Sequence, residues 1–129
     1  MTEQAEKPVI LAVDDTPENL DVVKGLLSSR FVVKAAINGM MALKIAEKKP
    51  PDLILLDIRM PQMDGYEVCR RLKANEVTAS IPVIFLTGES DGASEAEALE
   101  VGAVGYLTKP IDPAALLGKI DVCLNRAHI

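Results

Sequence analysis

The sequence predicts an α/β protein built on one parallel five-stranded sheet, with five helices covering both faces. Three observations carry this. Short β-branched runs alternate with helical apolar patterns along the 129 residues. The third run, Asp52–Asp57 (DLILLD), is continuously apolar between two carboxylates, the pattern of a strand buried on both sides. No repeat, low-complexity stretch or long linker divides the chain, so one domain over residues 1–129 is expected, with an ordered core of about 8–126.

Val9–Val13 (VILAV) forms the first strand. Thr16 then offers a helix N-cap and Pro17 the first helical position, where a missing N–H costs nothing. Leu20, Val23, Leu26 and Leu27 recur at helical spacing. Phe31–Ala36 is the second strand, and Asn38 caps a helix carrying Leu43 and Ile45 that Pro50-Pro51 ends. After the third strand, Asp64 and Glu67 form a capping-box pair that opens a helix with Val68 and Leu72 on one face. Pro82–Thr87 is the fourth strand. Ser94 and Glu97 repeat the capping pattern, and Gly102 suits the helix C-cap. Val104–Leu107 is the fifth strand. Asp112 caps and Pro113 starts the last helix, lined by Leu116, Leu117, Ile120 and Leu124. Val22, Val68 and Val122 are expected at core or near-core positions. Core or loop packing is expected for Met40, Met41, Met60 and Met63.

Composition excludes several classes. With 14 basic and 19 acidic residues the net charge is -5, the reverse of a nucleic-acid footprint. The longest apolar runs, such as Leu53–Leu56 and Val83–Leu86, are far short of the ~20 residues of a membrane span. Met1–Lys7 has no apolar signal core, so a cytoplasmic location is expected. Cys69 and Cys123 show no CxxC spacing and read as free thiols, buried or on exposed helix positions. His128 is the single histidine, which removes a histidine triad and a multi-histidine metal site.

In a parallel sheet all strand carboxyl ends share one rim, where ligands of such folds bind. Here those ends carry Asp14-Asp15, Asp57, Thr87 and Lys109. Taken singly, each acid reads as a helix cap or a solvated strand end. As a set they form a problem in electrostatics. Two like charges at 4 Å repel by about 4 kcal/mol at an effective dielectric near 20. Three carboxylates therefore require a proton or cations. Lys109 supplies one positive charge, and a divalent ion brings the sum to zero. An all-oxygen donor set favours Mg2+ over Zn2+. A carboxylate beside Mg2+ and an ammonium is a nucleophile for phosphoryl groups, with the Thr87 hydroxyl able to bond a phosphoryl oxygen. Phosphorylation then moves the site total from zero to about -1 and adds acceptor oxygens, enough to bias a two-state element.

Four segments in order, VILAVDDTPENL, PDLILLDIRMPQMDGYEVCRRLK, IPVIFLTG and GAVGYLTKP, resemble the receiver domain of bacterial two-component response regulators over essentially the whole chain. The resemblance implies the flavodoxin-like strand order 2-1-3-4-5. It implies that Asp57 is the phosphoacceptor and that Asp14, Asp15, Asp57 and the main-chain carbonyl of Arg59 hold Mg2+. It further implies that Thr87 is the switch hydroxyl, that Lys109 pairs with the phosphoryl group before a cis Pro110, and that the Tyr106 ring reports the Thr87 shift. No signature position departs from the family pattern. Arg59 and Glu89 are variable neighbours expected to govern the access of water.

The implied function is a phosphorylation-activated signalling switch. Its partners would be a histidine kinase or histidine phosphotransfer protein, and an output domain or downstream protein on the face of the fourth helix, fifth strand and fifth helix. Its own catalysis would be limited to phosphoryl transfer to itself and autodephosphorylation. Glu95, Glu97 and Glu100 make the fourth helix acidic, either as a solvated face or as a docking face for a basic partner. The runs DDTPENLDVV and DGYEVCRRLK resemble receivers joined to cyclic-di-GMP turnover domains or sensor kinases. A small phosphohydrolase is the competing enzyme reading, but Arg59 stands where its acid–base Asp would be. A flavin or nucleotide module lacks a glycine-rich phosphate loop, and 3% aromatic residues leave little to stack a ring. A phosphorylation-independent receiver conflicts with the intact acidic pair, Thr87 and Lys109.

Overall fold

A computed structural model describes residues 7–88 and 95–126 of the chain. Among these, strands and helices alternate as β1(Val9–Val13), α1(Pro17–Leu27), β2(Val32–Ala36), α2(Gly39–Lys48), β3(Leu53–Asp57), α3(Gly65–Ala74), β4(Val83–Thr87), α4(Glu95–Glu100), β5(Gly105–Thr108) and α5(Pro113–Arg126). The five strands form one sheet in the order β2-β1-β3-β4-β5, every pair parallel. Val13 pairs with Leu56, Asp57 with Leu86 and Thr87 with Thr108, so the strand ends that carry polar residues stand level on one rim.

Strand alternation divides the core into two layers. Leu11, Val13, Ile54, Leu56 and Phe85 face Ala42, Ala46, Val68, Leu72 and Ala98 of α2, α3 and α4. Ile10, Ala12, Leu53, Leu55, Ile84 and Leu86 face Leu20, Val23 and Leu27 of α1 and Leu116, Ile120 and Leu124 of α5. Each fully buried aliphatic side chain contributes roughly 1.5–3 kcal/mol, so both layers hold the rim rigidly.

Helix starts follow the cap signals. Asn38, Asp64 and Asp112 accept from the backbone N–H of Met41, Glu67 and Ala115 at 2.8, 2.9 and 3.0 Å. The reciprocal arm of the capping box differs: Glu67 pairs with Arg70 and Arg71 instead. Thr16 stands at the N-cap of α1, but its side chain makes no cap bond. Gly102 ends α4 at φ +101°, the left-handed conformation that glycine adopts freely. Ser94 and Glu89 lie outside the described residues.

Some expectations are corrected. Val22 and Val122 are 58% and 54% exposed, whereas Val68 is fully buried. The core face of α1 is set by Leu20, Val23 and Leu27, and a residue two on from Leu20 points away from it. Val122 stands in the same relation to Ile120. Met60 is buried and Met63 packs against the core, but Met40 and Met41 are exposed on α2, where Gly39, Ala42 and Ala46 take the inner face. Strand β2 starts one residue late and β5 is shifted by one residue. Cys69 is buried and Cys123 half-buried, and neither is in a disulfide.

Candidate functional site

The rim gathers its charged groups from three segments. Asp14 follows β1, Asp57 ends β3 and Lys109 follows β5. Lys109 Nζ donates to Asp14 Oδ2 at 3.0 Å and to Asp57 Oδ1 at 3.4 Å. Carboxylate oxygens of Asp14, Asp15 and Asp57 all lie within 4.8 Å of one another. Asp14 and Asp57 are buried, while Asp15 is exposed and takes no hydrogen bond from a described residue. Thr87 is fully buried at the end of β4, its hydroxyl donating to the Gly88 carbonyl at 3.3 Å. The Lys109 backbone N–H donates to the Thr87 carbonyl at 2.7 Å, which ties the β5 end to β4, and the Lys109–Pro110 bond is cis as the resemblance implies. Tyr106, opposite Phe85 in the sheet register, is half-buried against the α3 and α4 side of the core. Arg59 is exposed two residues beyond Asp57.

The charge set holds three carboxylates against one ammonium. Burial, and next the Asp14 carboxylate, push the Asp57 carboxyl up to about 6, against the pull of Lys109. Burial alone would lower Lys109, but its bond to Asp14 and the charges of Asp57 and Asp14 outweigh that and hold the ammonium above its ordinary value. The anionic form of Asp57 thus calls for more positive charge than one lysine provides. The donors fit a hard cation: three carboxylates, no nitrogen or sulfur ligand, and one exposed acid through which a hydrated ion can enter.

Local sequence explains the placement. The added Cβ of an alanine at Gly65 would lie 2.9 Å from Ile58 Cα and closer still to the Asp57 carbonyl. Glycine lets α3 start hard against the phosphoacceptor candidate, and the Gly65 N–H donates to the Ile58 carbonyl at 2.8 Å. Gln62, at φ 72°, turns the intervening loop, with the Met63 N–H donating to the Pro61 carbonyl at 2.8 Å. The structure also brings in Asn19, whose Nδ2 donates to Asp14 Oδ2 at 3.1 Å. The signal available in the sequence is its position in the first turn of α1, beside the rim that Asp14 occupies.

The family profile of the response regulator receiver domain matches residues 10–121. The chain is 43% identical over 123 residues to a probable cyclic di-GMP phosphodiesterase of Vibrio cholerae, covering 95% of this chain and 28% of that protein. It is 40% identical to the response regulator PleD of Caulobacter vibrioides, covering 86% of this chain and 25% of that one. It thus spans only about a quarter of these two relatives. Among solved structures, the receiver domain of a Pseudomonas aeruginosa sensor histidine kinase, with a magnesium ion coordinated in its active site cleft, superposes with a TM-score of 0.85 at 31% identity, over 93% of this chain and 99% of that one. A receiver domain protein from Clostridium thermocellum gives 0.86 at 30% identity, over 94% and 97%. Fold, rim and sequence agree: the chain belongs to the response regulator receiver domains.

Proposed function

We propose that this chain, read as one receiver module, is a phosphorylation-activated switch that accepts a phosphoryl group on Asp57 from a histidine kinase or phosphotransfer protein. The observation that carries the reading is the convergence of Lys109 on Asp14 and Asp57, with Asp15 in reach. One Asp57 oxygen forms the new O–P bond as the P–N bond of phosphohistidine breaks, its electron pair leaving with the imidazole. Asp14, Asp15, Asp57 and the Arg59 carbonyl are the assigned Mg2+ ligands, a set consistent with the hard-ion donors on the rim and with the magnesium in the P. aeruginosa neighbour. When bound, Mg2+ neutralises charge on the transferring phosphoryl oxygens. Lys109 turns its ammonium to the phosphoryl group, and the Thr87 hydroxyl exchanges the Gly88 carbonyl for a phosphoryl oxygen. Tyr106 follows the space that Thr87 vacates. Output passes through the face of α4, β5 and α5, where Glu97 and Glu100 are exposed. Catalysis is directed at the chain itself, and Arg59 with Glu89 sets the rate of loss to water. No helix among the described residues is long and apolar enough to cross a membrane, which accords with the cytoplasmic site of action we assign.

The test is acetyl phosphate with Mg2+ followed by intact-mass measurement. The expected result is one added phosphoryl group per chain, absent in Asp57→Asn and in EDTA. Labelling that persists in Asp57→Asn, or none in the unmodified protein, overturns the assignment.

A further inference from the structure

Asn19 has no part in the scheme above, yet its amide is bonded to the acidic site. Asp14 is buried and accepts three hydrogen bonds: from the Thr16 N–H to Oδ1 at 2.9 Å, and from Asn19 Nδ2 and Lys109 Nζ to Oδ2 at 3.1 and 3.0 Å. Asn19 and Lys109 therefore share one oxygen. Lys109 is also nearer to Asp14 than to Asp57, 3.0 against 3.4 Å, so the resting lysine is tethered more closely to the residue that is not the proposed acceptor. The amide of Asn19 is committed to Asp14 from the first turn of α1, which Pro17 opens.

We infer that Asn19 is a positioning residue that keeps Asp14 satisfied when Lys109 swings to a phosphoryl group on Asp57; this rests on the receiver reading above. A buried carboxylate deprived of its donor costs more than the bond it lost was worth. Asp14 is also an assigned Mg2+ ligand, so the metal would hold part of the carboxylate, and among the described residues Asn19 is the one side-chain donor left on Oδ2 once Lys109 departs. Asn19 fills the role because it is neutral. A second cation there would compete for Asp57 itself, whereas an amide holds Asp14 and leaves the charge balance unchanged. It also projects from α1, an element anchored by Leu20, Val23 and Leu27, so it stays in place while Lys109 moves.

The experiment compares two affinities, both read by amide NMR shifts: that of Mg2+ alone, and that of beryllofluoride, a phosphoryl mimic, in Mg2+-saturated protein. In the scheme above Lys109 has a phosphoryl group to turn to only in the second. Asn19→Ala should weaken beryllofluoride about tenfold, the order expected for a charge-assisted hydrogen bond, over and above any loss in Mg2+ affinity that follows from its bond to the Mg2+ ligand Asp14. Asn19→Leu, which keeps the branched shape and removes the donor, should show the same split and guards against a fault of packing. Equal losses in both affinities, or no loss in either, overturn the role of Asn19. Unmodified protein that binds no beryllofluoride overturns the receiver-site reading, and the inference with it.

Discussion

Asp57 ends a strand whose other residues are Leu53, Ile54, Leu55 and Leu56, and its carboxyl is raised to about 6, first by burial and then by Asp14. A carboxylic acid whose pKa is higher folded than unfolded stabilises the fold when protonated. That contribution is complete below the ordinary carboxyl value of 3.8 and is lost as pH rises through about 6. In EDTA, Asp57→Asn should therefore be more stable than the unmodified protein at pH 8. After allowance for solvent screening at the open rim, the gain is about 1–2 kcal/mol. The advantage should fade between about pH 6 and 4. Urea unfolding at several pH values checks this, and a gap independent of pH would mean an ordinary carboxyl. Proton and metal compete for the same oxygens, so Mg2+ affinity should fall as pH drops through that window.

At the scale of elements, two glycines in helices answer to opposite physics. Gly65 opens α3 against the backbone of Asp57 and Ile58, neither of which can yield cheaply. Gly65→Ala should cost about 1–3 kcal/mol, the range for overpacking. Gly118 lies within α5 with nothing within 4 Å of an added Cβ. Gly118→Ala should gain about 0.5–1 kcal/mol from helix propensity. Chemical denaturation of both variants tests the pair, and a common sign would contradict the packing described. Most element boundaries are legible in the sequence because caps and prolines are local: Asn38, Asp64 and Asp112 bond within three residues of themselves. The rim acids are legible because parallel topology puts every strand end together. What escapes is set by partners far away in sequence. Asp14 and Lys109, 95 residues apart, form the closer pair, which no local pattern states. Asn19 escapes because its amide is spent on a neighbour that already reads as a ligand. Val22 and Val122 are misplaced because apolar character alone does not fix a helical phase.

For the whole molecule, the site works as a clasp between the ends of β1, β3 and β5, which come from the beginning, the middle and the later part of the sequence. A chain of net charge -5 that keeps three carboxylates within 4.8 Å carries self-repulsion at one edge of its sheet. A ligand that binds only the assembled rim must stabilise the entire fold, since unfolding separates Asp57 from the Asp14-Asp15 pair. At a Mg2+ concentration ten times its dissociation constant the gain is about 1.4 kcal/mol, which for a domain of this size raises the melting temperature by roughly 3–6 °C. Calorimetry at constant ionic strength, with NaCl replacing MgCl2 in the reference cell, isolates binding from screening. Asp15→Asn should remove most of the shift, because Asp15 is the one exposed acid of the three and takes no hydrogen bond from a described residue. Asp64→Asn is a control of equal charge change at the start of α3, where the side-chain oxygen caps the helix, and it should retain the shift. If both variants lose it equally, Mg2+ acts on net charge and not on the rim.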